Sequence, residues 1–137
     1  MIEDPYLDLN RCVDRLWKEY QKHPRLIIAC DFDETLFDWK NLGYTFPRVT
    51  KLIRECQELG FYIVLFSASK PDRYDFMRNY CLGHGIKVDS INENPIPLPY
   101  GNNGKIYYNI LICDRAGLWS SVVALELLVN RIKAEKI

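Results

Sequence analysis

A chain of 137 residues with 48% apolar and 26% charged residues has the composition of an ordinary globular protein, long enough to bury about two-thirds of its unfolded surface in one domain. Eighteen basic residues balance eighteen acidic ones, which excludes the broad positive field that holds nucleic-acid backbones without regard to sequence. Five dispersed cysteines, an acidic N-terminus without a signal-peptide pattern and no membrane-length apolar run give the expectation of a cytoplasmic protein with reduced thiols and no membrane partner.

Residues 6–22 carry Tyr6, Leu9, Val13, Leu16, Trp17 and Tyr20 at spacings of three and four, which predicts an amphipathic helix ended by Pro24. From Arg25 to Asp31 the apolar residues run continuously, the pattern of a strand buried on both faces. After an irregular stretch from Phe37 to Tyr44, residues 47–59 form a helix with Val49, Leu52, Ile53 and Cys56 inward and Gly60 as its stop. Phe61 to Phe66 is a second buried strand, and Pro71 opens a helix that lasts to about Gly83.

A weaker strand follows from Ile86 to Ile91. The stretch from Asn92 to Gly104 holds three prolines, two glycines and four asparagines, and reads as a loop. Tyr108 to Cys113 is another apolar strand, and Leu118 to Lys133 a last helix. Alternating strands and helices predict an α/β fold, a three-layer sandwich around a mostly parallel, Rossmann-like sheet. One domain is expected over residues 1–137, with 1–24 as an N-terminal helical extension and 25–137 as the core.

Ligands of such sheets bind beyond the carboxyl ends of the strands. There the sequence places Asp31 and Asp33 after the first strand, Ser67 after the second and Asp114 after the last, with Lys105 shortly before the last. Asp31 and Asp33 are one residue apart, so strand alternation can turn both carboxylates into one space. Carboxylates sharing a site push their proton affinities apart, which yields a nucleophile and a general acid from one residue type. If Asp114 reaches the pair, the hard oxygens suit Mg²⁺. Ser67 and Lys105 could hold phosphoryl oxygens.

Asp31-Phe32-Asp33-Glu34-Thr35 resembles the DxDx[T/V] signature of haloacid dehalogenase-like (HAD) phosphohydrolases. Phe66-Ser67 is similar to the second motif of that family, Lys105 to the lysine of the third, and Ile112-Cys113-Asp114-Arg115-Ala116 to the fourth. The resemblance implies a phosphatase working through an aspartyl-phosphate. Asp31 would be the nucleophile and Asp33 the acid and base. Mg²⁺ would sit on the Asp31 carboxylate, the Asp33 main-chain carbonyl and Asp114, and the phosphate on Ser67 and Lys105.

Two departures stand out. Cys113 occupies a place where many relatives carry a first acid, which lowers the negative charge around the metal; the alternative reading is a weak or inactive phosphate- or partner-binding module. Ser69 stands where relatives often carry Arg, a charge that Arg73 or Lys70 could supply. Cys30 and Cys113 read as inert thiols, and His23 and His84 as surface or cap residues.

Neither gap between motifs can hold a folded cap domain, so the resemblance points to a small capless member with an open site. Its partner is a phosphorylated substrate, such as a nucleic-acid end or a phosphoprotein. Lys70, Arg73 and Arg78 could touch a nucleic-acid backbone or form a solvated helix face. Trp119, Val122, Val123, Leu127 and Ile132 offer either a homodimer or partner face or packing against the sheet.

Overall fold

The computed structural model describes residues 2–97 and 106–136. Strands β1 (Ile27–Asp31), β2 (Tyr62–Phe66), β3 (Ser90–Ile91) and β4 (Ile110–Ile112) form one parallel sheet in the order β3-β2-β1-β4. The α-helices among the described residues are α1 (Leu9–Lys22), α2 (Pro47–Glu58), α3 (Tyr74–Gly83) and α4 (Leu118–Glu135). The architecture is the predicted Rossmann-like α/β sandwich. Ile27, Ile28, Ala29 and Cys30 are all buried although successive side chains point to opposite faces, so both faces of β1 are covered.

One cluster holds most of the core. It joins Ile28, Cys30 and Phe32 of the first strand and its exit to Leu52, Ile53 and Cys56 of α2, Met77 and Cys81 of α3, and Leu125 and Leu128 of α4. Ion pairs brace the helices outside it: Arg48 grips Glu126 with two bonds of 2.9 and 2.7 Å, Lys133 meets Glu55, and Arg131 meets Asp14. No helix among the described residues is long and apolar enough to cross a membrane.

The edge strands are shorter than the apolar runs predict. At β3, Asp89 accepts the Ile63 amide on its carboxylate at 2.7 Å, and at β4 the Asn109 side chain accepts the Ile27 amide at 2.7 Å. A side-chain oxygen thus satisfies a central-strand donor where backbone pairing stops. The first helix is also shorter. The Asp8 carboxylate takes the Asn10 and Arg11 amides and starts α1 at Leu9, while Tyr6 lies in a single 3-10 turn, 60% exposed and off the inward stripe. Pro71–Arg73 likewise forms a 3-10 turn ahead of α3.

Candidate functional site

The strand order puts β1 between β2 and β4, and β1 is where the chain reverses its direction of travel across the sheet. Register aligns Asp31 with Phe66 and Cys30 with Ile112. The next residues along, Ser67 on one side and Cys113-Asp114 on the other, therefore flank Asp31 at a single edge, a topological switch point. Of the five residues singled out by sequence, Asp31, Asp33, Ser67 and Asp114 gather here. Lys105 lies outside the described residues.

A tight loop shapes the first group. The amides of Thr35, Leu36 and Phe37 all point to the Phe32 carbonyl, at 3.4, 3.0 and 3.0 Å, and the Glu34 amide reaches the Phe37 carbonyl at 2.7 Å. Glu34 takes a left-handed φ of 59° to allow it. Phe32 is buried and stacks on Phe37 with centroids 5.2 Å apart, which pins the loop to the core. The turn aims the fully buried Thr35 hydroxyl back between Asp31 and Asp114.

The Asp31 and Asp114 carboxylates and the Cys113 sulfur all lie within 4.8 Å of one another. Burial, helped by a hydrogen bond to Asp114 and by its charge, pushes the Asp31 carboxyl up to about 7. Two carboxylates this close, the Asp31 one half-buried, leave the place short of positive charge. Two hard oxygen donors fit Mg²⁺; the Cys113 thiol, itself pushed up by burial, suits softer metals. All five cysteines are free thiols, with Cys30, Cys56 and Cys81 buried.

Asp33 turns away from this pair. Both its carboxylate oxygens are held by Arg73, Nη1 to Oδ2 and Nη2 to Oδ1, each at 2.8 Å. Arg73 Nη1 also reaches Ser69 Oγ at 2.8 Å. Of the two cations expected to stand in for the missing Arg, Arg73 is thus drawn into the site, whereas Lys70 is exposed. Arg78 lies 3.9 Å from exposed Asp75, on a solvated helix face.

The Ser67 hydroxyl accepts the Ser69 amide at 3.0 Å, so it closes a turn at the same edge of the sheet. Asn92, one of four asparagines between positions 92 and 104, holds this turn from behind. Its side chain accepts the Ser67 amide at 2.9 Å and donates to the Ser67 carbonyl at 2.7 Å and to the Tyr74 hydroxyl at 2.9 Å. An asparagine just past a strand was the one available signal. His23 and His84 are the C-caps of α1 and α3. Val122 and Ile132 pack in the core, whereas Trp119 and Leu127 are exposed.

Fold and site together define an α/β protein with a parallel Rossmann-like sheet and acidic residues gathered at its carboxyl edge. The solved structure of a conserved protein coded by a locus of Bacteroides thetaiotaomicron is similar, with a TM-score of 0.60 at 21% identity, covering 82% of this chain and 93% of that one. The likeness is one of fold. No family model and no curated protein matches the sequence.

Proposed function

We propose that this chain is a Mg²⁺-dependent phosphomonoesterase of the HAD-like type. The observation that carries the reading is the meeting of Asp31 and Asp114, 83 positions apart in sequence (114 − 31), with their oxygens within 4.8 Å at the edge where Asp33 and Ser67 also lie. Asp31 Oδ attacks phosphorus and the bond to the leaving oxygen breaks, that oxygen taking a proton from Asp33. Water then gives a proton to Asp33 and its oxygen attacks phosphorus, which breaks the bond to Asp31 and frees inorganic phosphate.

The Asp31 carboxylate, the Asp33 main-chain carbonyl and Asp114 are the groups that would hold Mg²⁺, which when bound offsets the charge on the phosphoryl oxygens. Ser67 binds those oxygens, and Lys105 is assigned the same role. Trp39, Leu42 and Tyr44 are exposed on the loop that follows Asp33, which suits an extended substrate such as a nucleic-acid end or a phosphoprotein. A reducing cytoplasmic setting goes with the five free thiols.

The test is hydrolysis of p-nitrophenyl phosphate by the purified protein. Release of p-nitrophenol should require Mg²⁺, stop with EDTA and vanish in Asp31→Asn; full activity in that variant would remove Asp31 as the nucleophile. A second reading, a weak or inactive phosphate-binding module, is favoured by one observation: the Cys113 sulfur stands beside the two acids in place of a third. If Asp114 suffices, Cys113→Asp changes turnover by less than about tenfold, whereas a much larger gain means that the native chain is disabled.

A further inference from the structure

Arg73 makes more contacts than a surface arginine needs. Its side chain is 24% exposed and that of Asp33 31%. The guanidinium lies over the rings of Phe32, Phe37 and Phe76, with centroids 5.4, 5.7 and 5.7 Å away. An ion pair this close to solvent adds only about 0–1 kcal/mol to stability, so fold alone gives it little purpose. The pairing also conflicts with the chemistry proposed for Asp33. With both carboxylate oxygens in the fork, the side chain is held on Arg73 rather than aimed at a leaving group or a water.

The surroundings resolve the conflict. Ser67 Oγ accepts the Ser69 amide, and Ser69 Oγ accepts Arg73 Nη1. The guanidinium therefore sits one residue away from the hydroxyl assigned to the phosphoryl oxygens. A guanidinium matches phosphate with the same two-pronged geometry that it uses on a carboxylate, and a phosphomonoester dianion is the more highly charged partner. Contacts with ring faces are broad, so the group can swing across Phe32 and Phe37 while Ser69 keeps hold of Nη1.

We infer that Arg73 is a phosphate ligand with two stations: it rests on Asp33 in the free protein and moves onto the phosphoryl oxygens when a phosphomonoester arrives, which uncovers Asp33. The inference rests on the phosphohydrolase reading above. It also accounts for Ser69, which supplies no charge at its own position but holds the arginine that does.

Inorganic phosphate is the probe, titrated calorimetrically into the full-length protein with Mg²⁺ present. Arg73→Gln should weaken binding by about tenfold or more, the effect of losing hydrogen bonds to a charged group. Arg73→Lys should fall between, as a point charge without the fork. In wild-type protein labelled with 15N at arginine, the Arg73 Nη signals should move on adding phosphate. A folded Arg73→Gln variant that binds phosphate as tightly as wild type, or Nη signals that stay still at saturation, would show Arg73 to be a fixed clamp. If Arg73→Gln does not fold, Arg73→Lys and the wild-type spectra decide. Wild type that hydrolyses p-nitrophenyl phosphate while failing these tests loses the two stations and keeps its proposed function. Wild type that neither hydrolyses nor binds phosphate loses both.

Discussion

The hydroxyl of Thr35 accepts the Asp114 amide at 3.1 Å and lies 3.3 Å from Asp114 Oδ1 and 3.4 Å from Asp31 Oδ2. The two carboxylate contacts are longer than a good hydroxyl hydrogen bond, so Thr35 lies between the acids without locking either of them. Thr35→Val keeps the buried shape and removes the oxygen. It should cost about 1 kcal/mol, the low end for an unpaired donor because Asp114 itself is exposed. It should also raise the Mg²⁺ concentration needed for thermal stabilisation by about tenfold, as loss of a ligand-orienting partner does. Thr35→Ser should restore both. Melting curves across a Mg²⁺ series check this.

Asp31 gives a pH dependence with a definite sign. Its carboxyl is raised from an ordinary 3.8 to about 7. Between those values the folded, metal-free protein holds a proton that the unfolded chain has lost. The stabilisation is complete below about pH 4 and is lost as pH rises through about 7. Denaturant titrations in EDTA should show wild type losing stability over that window relative to Asp31→Asn. Added Mg²⁺ should recover stability above pH 7 in wild type and not in the variant. Parallel curves for the two proteins in EDTA would mean that Asp31 titrates normally.

Much of this was legible in the chain. The unbroken apolar runs before Asp31 and Ser67 located the central strands, because a strand covered on both faces cannot alternate. Asp31 and Ser67 at their ends marked the edge where the candidate residues gather. The short edge strands were not legible, since no apolar pattern reveals that an Asp89 or Asn109 side chain will take over a backbone bond. Nor was the place of Tyr6, where the Asp8 cap outweighed the helical spacing. Arg73 could be offered as one of two cations near the second motif, but its fork on Asp33 depends on the 3-10 turn at Pro71–Arg73 that aims it inward. Asn92 owes its role to a left-handed φ of 55°, which its residue type permits but does not announce.

Asn92 should prove a supporting residue rather than a ligand. Its amide satisfies the Ser67 amide and carbonyl together and ties them to Tyr74 at the start of α3. Asn92→Ala removes all three bonds, and should destabilise the protein by about 1–3 kcal/mol. With Ser67 loosened, phosphate affinity should fall as well. Tyr74→Phe, which removes only one bond, should leave phosphate affinity within about twofold, since a single neutral hydrogen bond is worth about 1 kcal/mol and this one does not touch Ser67. Equal loss of phosphate affinity in the two variants would place the effect in α3 instead of the Ser67 turn.

Asn109 carries a test of the fold that is independent of function. It is 8% exposed, its Oδ1 accepts the Ile27 amide at 2.7 Å, and its own amide donates to the Ile27 carbonyl at 2.8 Å. Its Nδ2 donates to Glu19 Oε1 at 2.8 Å, and its carbonyl accepts from Arg15, which also pairs with Glu19. One side chain thereby joins α1 to the amino end of β1. Asn109→Ala strands the Ile27 donor at a buried position, which should cost about 1–3 kcal/mol in denaturant unfolding. Asn109→Asp keeps an oxygen for Ile27 but sets a carboxylate against Glu19, so it should be at least as damaging. Adding Glu19→Gln removes that repulsion and should recover part of the loss in Asn109→Asp, while giving no such recovery in Asn109→Ala. A double-mutant cycle that finds Asn109 and Glu19 additive would break the proposed link between helix and sheet.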